Sequence, residues 1–138
     1  MADDSGSDLL LVYGTLKRGQ ANHQQLAGSP FLGETRLDQL VLHDLGPFPM
    51  AVPGDGHLIG ELYRVGRERW PALDHFEGVP RLYRRWRWLS SEGHWLWVYL
   101  GLPRQVRHAR RLEQGVWSGI SRPGRQDGRA DASSRQDS

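Results

Sequence analysis

"LLLVYGTLKRGQANH", residues 9–23, decides how the chain begins to fold. An apolar run from Leu9 breaks off at Gly14, and a hydroxyl at Thr15, then Leu16 and the cations Lys17 and Arg18, follow at once. A run of that length closed by glycine predicts a buried strand feeding a tight loop. Consecutive backbone N–H groups at such a junction can face outward and hold a carboxylate or an oxyanion. A plain turn would look the same, so on this stretch alone both readings stand. The spacing is not that of a phosphate loop, because Gly19 is followed by Gln20 and Ala21, and the G-x-G-x-x-G of dinucleotide sites is absent.

Working outward, "KRGQANHQQLAGS" suits a short helix or turn after Asn22. "ETRLDQLVLHDLG" spaces Leu37, Leu40 and Leu42 as a strand does and closes at Gly46-Pro47. "PFPMAVPGDG" carries three prolines and two glycines and reads as an irregular segment ending in a turn. "HLIGELYRV" alternates as a strand, whereas "GRERWPALDHFEG" changes period, with Trp70, Leu73 and Phe76 on one side and a stop at Gly78: a short helix. "LYRRWRWLS" and "HWLWVYLGL", joined through Ser91-Glu92-Gly93, read as a hairpin, and "RQVRHARRLEQGVW" as a terminal helix with a thin apolar face. Strands dominate and long crossover helices are missing. The expected fold is a small α+β domain around a mostly antiparallel, barrel-like sheet with short helices.

The 138 residues suffice for one domain with a real core, although the apolar fraction is only 38%. The shortfall is uneven. "MADDSGS" (1–7) and the arginine-rich stretch 119–138 carry almost nothing to bury, and both are expected to be disordered, leaving 8–118 as the folded domain. The formal charge of +2 hides a basic end, where Arg104, Arg107, Arg110, Arg111, Arg122, Arg125, Arg129 and Arg135 face four acids, Glu113, Asp127, Asp131 and Asp137. Such a tail can contact nucleic acid or an anionic membrane. With no aromatic residue beyond Trp117 to stack on bases, that remains a minor reading, tested by salt dependence and truncation. The absence of cysteine excludes disulfides, thiolate catalysis and cysteine zinc sites. No apolar stretch has membrane-spanning length and no basic n-region precedes Leu9, so the default is a soluble cytoplasmic protein.

Two carboxylates compete for a catalytic part. Glu77 falls at the end of the expected helix, where the helix dipole disfavours its charge, raises its proton affinity slightly and suits general acid/base work. Its ordinary alternative is a surface pair with Arg81, Arg84 or Arg85. Glu61, inside an alternating strand, is the rival, and its ordinary reading is an outward strand carboxylate. Residues 75–77 superficially match the H-x-E of zinc deaminases, which also require cysteines, and neither H-E-x-x-H nor G-x-S-x-G occurs. No metal site is expected.

Taken in order, "VYGTLKRGQANH", "GPFPMAVPGDGHLIGELYRV", "LDHFEGVPRLYRR" and "WVYL" resemble the γ-glutamylcyclotransferase-like family, nearest its γ-glutamylamine cyclotransferase and AIG2-like branch. The likeness spans about Leu10 to Leu100. It implies a compact barrel-like α+β fold, an active site where the first loop meets the second helix, and no cofactor. It also implies that Tyr13, Gly14, Thr15 and Leu16 bind substrate and that Glu77 is the acid/base. The implied activity converts a γ-glutamyl amine or γ-glutamyl amino acid, a small-molecule substrate, to 5-oxoproline and the free amine or amino acid. A non-catalytic binding or regulatory module of the same fold is the alternative. Lys17 and Arg18 are assigned to field and structure, and beyond Leu102 no family pattern is recognised.

Overall fold

The computed structural model describes residues 7–119, so the disorder expected for 1–7 and 119–138 concerns residues outside that range, save Ser7 and Gly119 at its ends. Six strands form one mixed, curled sheet: β1 (Ser7–Val12), β2 (Phe31–Asp44), β3 (Pro49–Gly66), β4 (Arg84–Leu89), β5 (Trp95–Leu100) and β6 (Arg110–Arg111). Their spatial order is β4-β5-β1-β3-β2-β6. Only β1 and β5 run parallel; every other neighbouring pair is antiparallel. Among the described residues two short α-helices, α1 (Trp70–Phe76) and α2 (Pro103–Val106), and two 3-10 turns, His23–Leu26 after Asn22 and Arg67–Arg69, complete the α+β architecture.

The run of leucines in β1 follows from its central position. Leu10 and Val12 pack into one apolar cluster with Leu73 and Trp70 of α1, while Leu11 and Tyr13 pack into another with Leu58, Val98 and Trp117. A strand covered on both faces has no use for alternation, which is why this stretch reads as a continuous apolar run.

Two expectations are corrected. The segment rich in Pro and Gly is not irregular: from Pro49 it is the first half of β3, an 18-residue strand. Its Pro-Gly-Asp-Gly is a bulge, because the register with β2 jumps from Asp38↔His57 to Leu40↔Pro53. Proline and glycine inside a strand mark the place where the ladder breaks and the sheet bends. The terminal helix shrinks to the single turn of α2, after which β6 pairs with β2 and Trp117 folds back into the core at 2% exposure. Arg110 and Arg111 pair with Asp44 and Asp55, a tie between distant segments that a thin helical face could not rival. At the opposite edge, β4 exposes Arg84 and Arg87, charges that discourage pairing with another chain.

Among the described residues no helix is long and apolar enough to cross a membrane.

Candidate active site

The loop after β1 is shaped by its carbonyls. Gly14 O accepts from Lys17 N (3.0 Å), Thr15 O from Asn22 N (2.9 Å) and Leu16 O from His23 Nδ1 (2.9 Å). In a trans peptide the N–H points opposite to the C=O. The amides of Thr15 and Leu16 therefore face away from the 17–23 segment, and among the described residues they donate to no acceptor. Gly14 is required by close approach, since a Cβ there would lie 2.8 Å from Pro49 Cδ.

The loop is clamped from outside by Glu61. Its carboxylate accepts from Arg18 N (2.9 Å), Arg18 Nε (3.4 Å) and the Tyr63 hydroxyl (3.0 Å). Glu61 is thus buried, not the outward strand carboxylate expected, and it stands outside the cavity described below. Lys17 donates to the Trp117 carbonyl at 2.7 Å, and the Arg18 guanidinium lies 3.8 Å over the Phe31 ring. Both cations serve the structure of the loop.

Glu77 follows α1, whose Trp70 and Leu73 are buried. Its N–H closes the helix on Leu73 O at 2.9 Å, and Gly78 then turns the chain with φ +69°, a conformation that favours glycine. The Glu77 carboxyl is pushed up to about 7, chiefly by burial and further by the charge of Asp74. The direction expected from sequence holds, but burial is the larger cause. Among the described residues Glu77 forms no ion pair: Arg85 is committed to Asp74, and Arg84 donates to Pro80 O.

Tyr13, Gly14, Thr15, Leu16 and Glu77 line one cavity of about 120 Å³, room for an amino-acid-sized group. Phe48, Pro49, Phe76, Tyr83 and Tyr99 share its wall. Each of the three phenols gives its proton to the protein: Tyr13 to Tyr99 O (2.6 Å), Tyr83 to Pro49 O (2.6 Å) and Tyr99 to Asp74 Oδ1 (2.7 Å). Burial drives all three well above the usual phenol range, so they remain neutral hydroxyls. Tyr83, Tyr99 and Asp74 escaped the sequence reading. The available signals were modest: Asp74 stands one helical turn before Glu77, and Tyr99 shares the strand face of Trp97.

The family model described as "Gamma-glutamyl cyclotransferase, AIG2-like" matches residues 10–119. A putative γ-glutamylcyclotransferase of Vibrio cholerae is 38% identical over 110 residues, covering 79% of this chain and 94% of the relative. A γ-glutamylaminecyclotransferase of Rattus norvegicus is 38% identical over 88 residues, 55% of this chain and 58% of that protein. Among solved structures, an AIG2-like protein of Mus musculus superimposes with a TM-score of 0.67 at 25% identity, covering 86% of this chain and 99% of the other. With that match running through the loop, the sheet and the helix that build the cavity, the chain belongs to the γ-glutamylcyclotransferase, AIG2-like family of enzymes.

Proposed function

We propose that the protein converts a γ-glutamyl amine or γ-glutamyl amino acid to 5-oxoproline, with Glu77 as the acid/base and the Tyr13–Leu16 loop as the substrate cradle. A single observation carries this reading: Glu77, whose carboxyl burial pushes up to about 7, lines one small cavity with Thr15 and Leu16, whose backbone amides have no acceptor among the described residues.

The substrate holds its own nucleophile. Its α-amine and γ-carbonyl lie a ring's length apart, so holding one folded conformer supplies much of the rate. Glu77, titrating at about 7, is ionised in a large share of molecules at neutral pH and takes a proton from the α-ammonium. The freed amine attacks the carbon of the γ-carbonyl; the new N–C bond closes the five-membered ring and the carbonyl π electrons move to oxygen. Amides such as those of Thr15 and Leu16 stabilise that oxyanion without reorganising. Collapse of the tetrahedral intermediate breaks the original C–N bond as protonated Glu77 returns its proton to the leaving nitrogen; the ring nitrogen then gives up its second proton to the Glu77 carboxylate, which passes it to the released amine and leaves a neutral lactam. The Tyr83 and Tyr99 oxygens, their protons engaged elsewhere, offer lone pairs to the ammonium, whereas the Tyr13 oxygen already accepts from Ala51 N.

The test is the fate of γ-glutamyl amines and γ-glutamyl amino acids incubated with the protein. Equal amounts of 5-oxoproline and free amine or amino acid are expected. Release of glutamate would mean that water, not the substrate's amine, is the nucleophile. Saturable binding without turnover would move the protein to the binding-module alternative.

A further inference from the structure

We propose that Asp74 is a positioning residue of the site, gripped by Arg85 between Trp70 and Trp97 and acting through the Tyr99 hydroxyl and the Glu77 carboxylate. The inference rests on the reading of Glu77 as the acid/base.

The grip is built from three elements, α1, β4 and β5. Arg85 of β4 meets Asp74 of α1 with two donors, Nε to Oδ1 at 2.9 Å and Nη2 to Oδ2 at 3.1 Å. The guanidinium lies 4.4 Å from the ring centre of Trp70 and 4.5 Å from that of Trp97, so an indole from α1 and one from β5 hold it. Both indole N–H groups are buried and have no partner among the described residues. Unpaired buried donors cost stability, so these side chains serve through their faces. Asp74 Oδ1 also accepts the Tyr99 hydroxyl, and Tyr99 lines the cavity with Glu77.

Two consequences follow. With its proton given to Asp74, the Tyr99 oxygen can only accept from a ligand. The Asp74 charge, paired with Arg85, also disfavours ionisation of Glu77 one turn later. The titratable groups around Glu77 are Tyr13 after β1, Asp74 on α1, Tyr83 before β4 and Tyr99 on β5, and Arg85 on β4 acts through Asp74. The three phenols stay neutral, which leaves Asp74 and Arg85 as the charges able to move the Glu77 titration.

Opposite substitutions test this. Asp74→Asn removes a negative charge, and the acid limb of kcat/KM is expected to fall by about one pH unit. Arg85→Gln leaves Asp74 uncompensated and is expected to raise the limb. Arg85→Lys keeps the charge but loses the fork and the stacking, so it should raise the limb less; it stands in if the Gln variant does not fold. The Glu77 Cδ resonance in the full-length protein gives the same titration without substrate and should move the same way. Movement of both variants in one direction, or of neither in folded protein, overturns the proposal. A Cδ titration that moves both ways while the kinetic limb stays fixed supports the grip and instead overturns Glu77 as the base.

Discussion

At the scale of the residue, Glu77 opposes the stability of its own fold. Its carboxyl titrates near 7 in the folded chain against an ordinary value of 4.5. Below 4.5 it is protonated in both states and costs nothing; between 4.5 and 7 the unfolded chain ionises while the folded chain keeps its proton, and the folded state loses stability on the order of 3 kcal/mol by the time pH passes 7. Glu77→Gln cannot ionise. Thermal melts should therefore show the variant several degrees more stable than wild type at pH 8, with the gap closing toward pH 4.5. An equal gap at both pH values would contradict the displaced titration. The candidate site was half legible at this scale. Tyr13 to Leu16 and Glu77 sit in short motifs, and a helix end hinted at the direction of the Glu77 shift. The larger cause needed walls that only the folded chain supplies, Phe48 and Tyr83 among them. Asp74 and Tyr99 meet across 25 positions, and no local pattern announces such a contact.

At the scale of the element, the loop of residues 13–23 is held by a strand. Glu61 of β3 accepts the Arg18 amide, and its burial to 8% exposure makes that bond a fixed point of the loop. Glu61→Ala should leave the sheet folded and release this amide. Hydrogen exchange at Arg18 is expected to quicken by about tenfold, the equivalent of one ordinary hydrogen bond, while exchange in the middle of β1 stays protected. Unchanged exchange at Arg18 would show that the loop holds itself. Elements were legible where period and composition agreed: β1, the hairpin of β4 and β5, and α1 with its glycine stop. They failed at Pro53 to Gly56, where breaker residues mark a bulge within a strand, and near Arg110, where ion pairs to Asp44 and Asp55 outweigh helical spacing.

At the scale of the whole molecule, the parallel pairing of β1 with β5 closes the site by bringing Tyr99 beside the loop that leaves β1. Sequence spacing carries no signature of that pairing, since β1 ends at Val12 and β5 begins at Trp95, 83 positions later, and local patterns do not reach so far. The other end of the described chain is bound in as well: Trp117 is buried and its carbonyl accepts Lys17. We propose that the folded unit needs nothing beyond it. A chain cut after Gly119 should melt at the same temperature as the full chain, and a cut after Val116 should lower the midpoint by more than ten degrees, because burial of a large aromatic side chain is lost. The central claim is that Glu77 carries the proton through ring closure. Its most direct test is 5-oxoproline release from a panel of γ-glutamyl amines and γ-glutamyl amino acids by wild type and by Glu77→Gln. The predicted result is turnover of at least one panel member by wild type and a 10²–10⁴-fold loss in a folded Gln variant; full activity in that variant would contradict it.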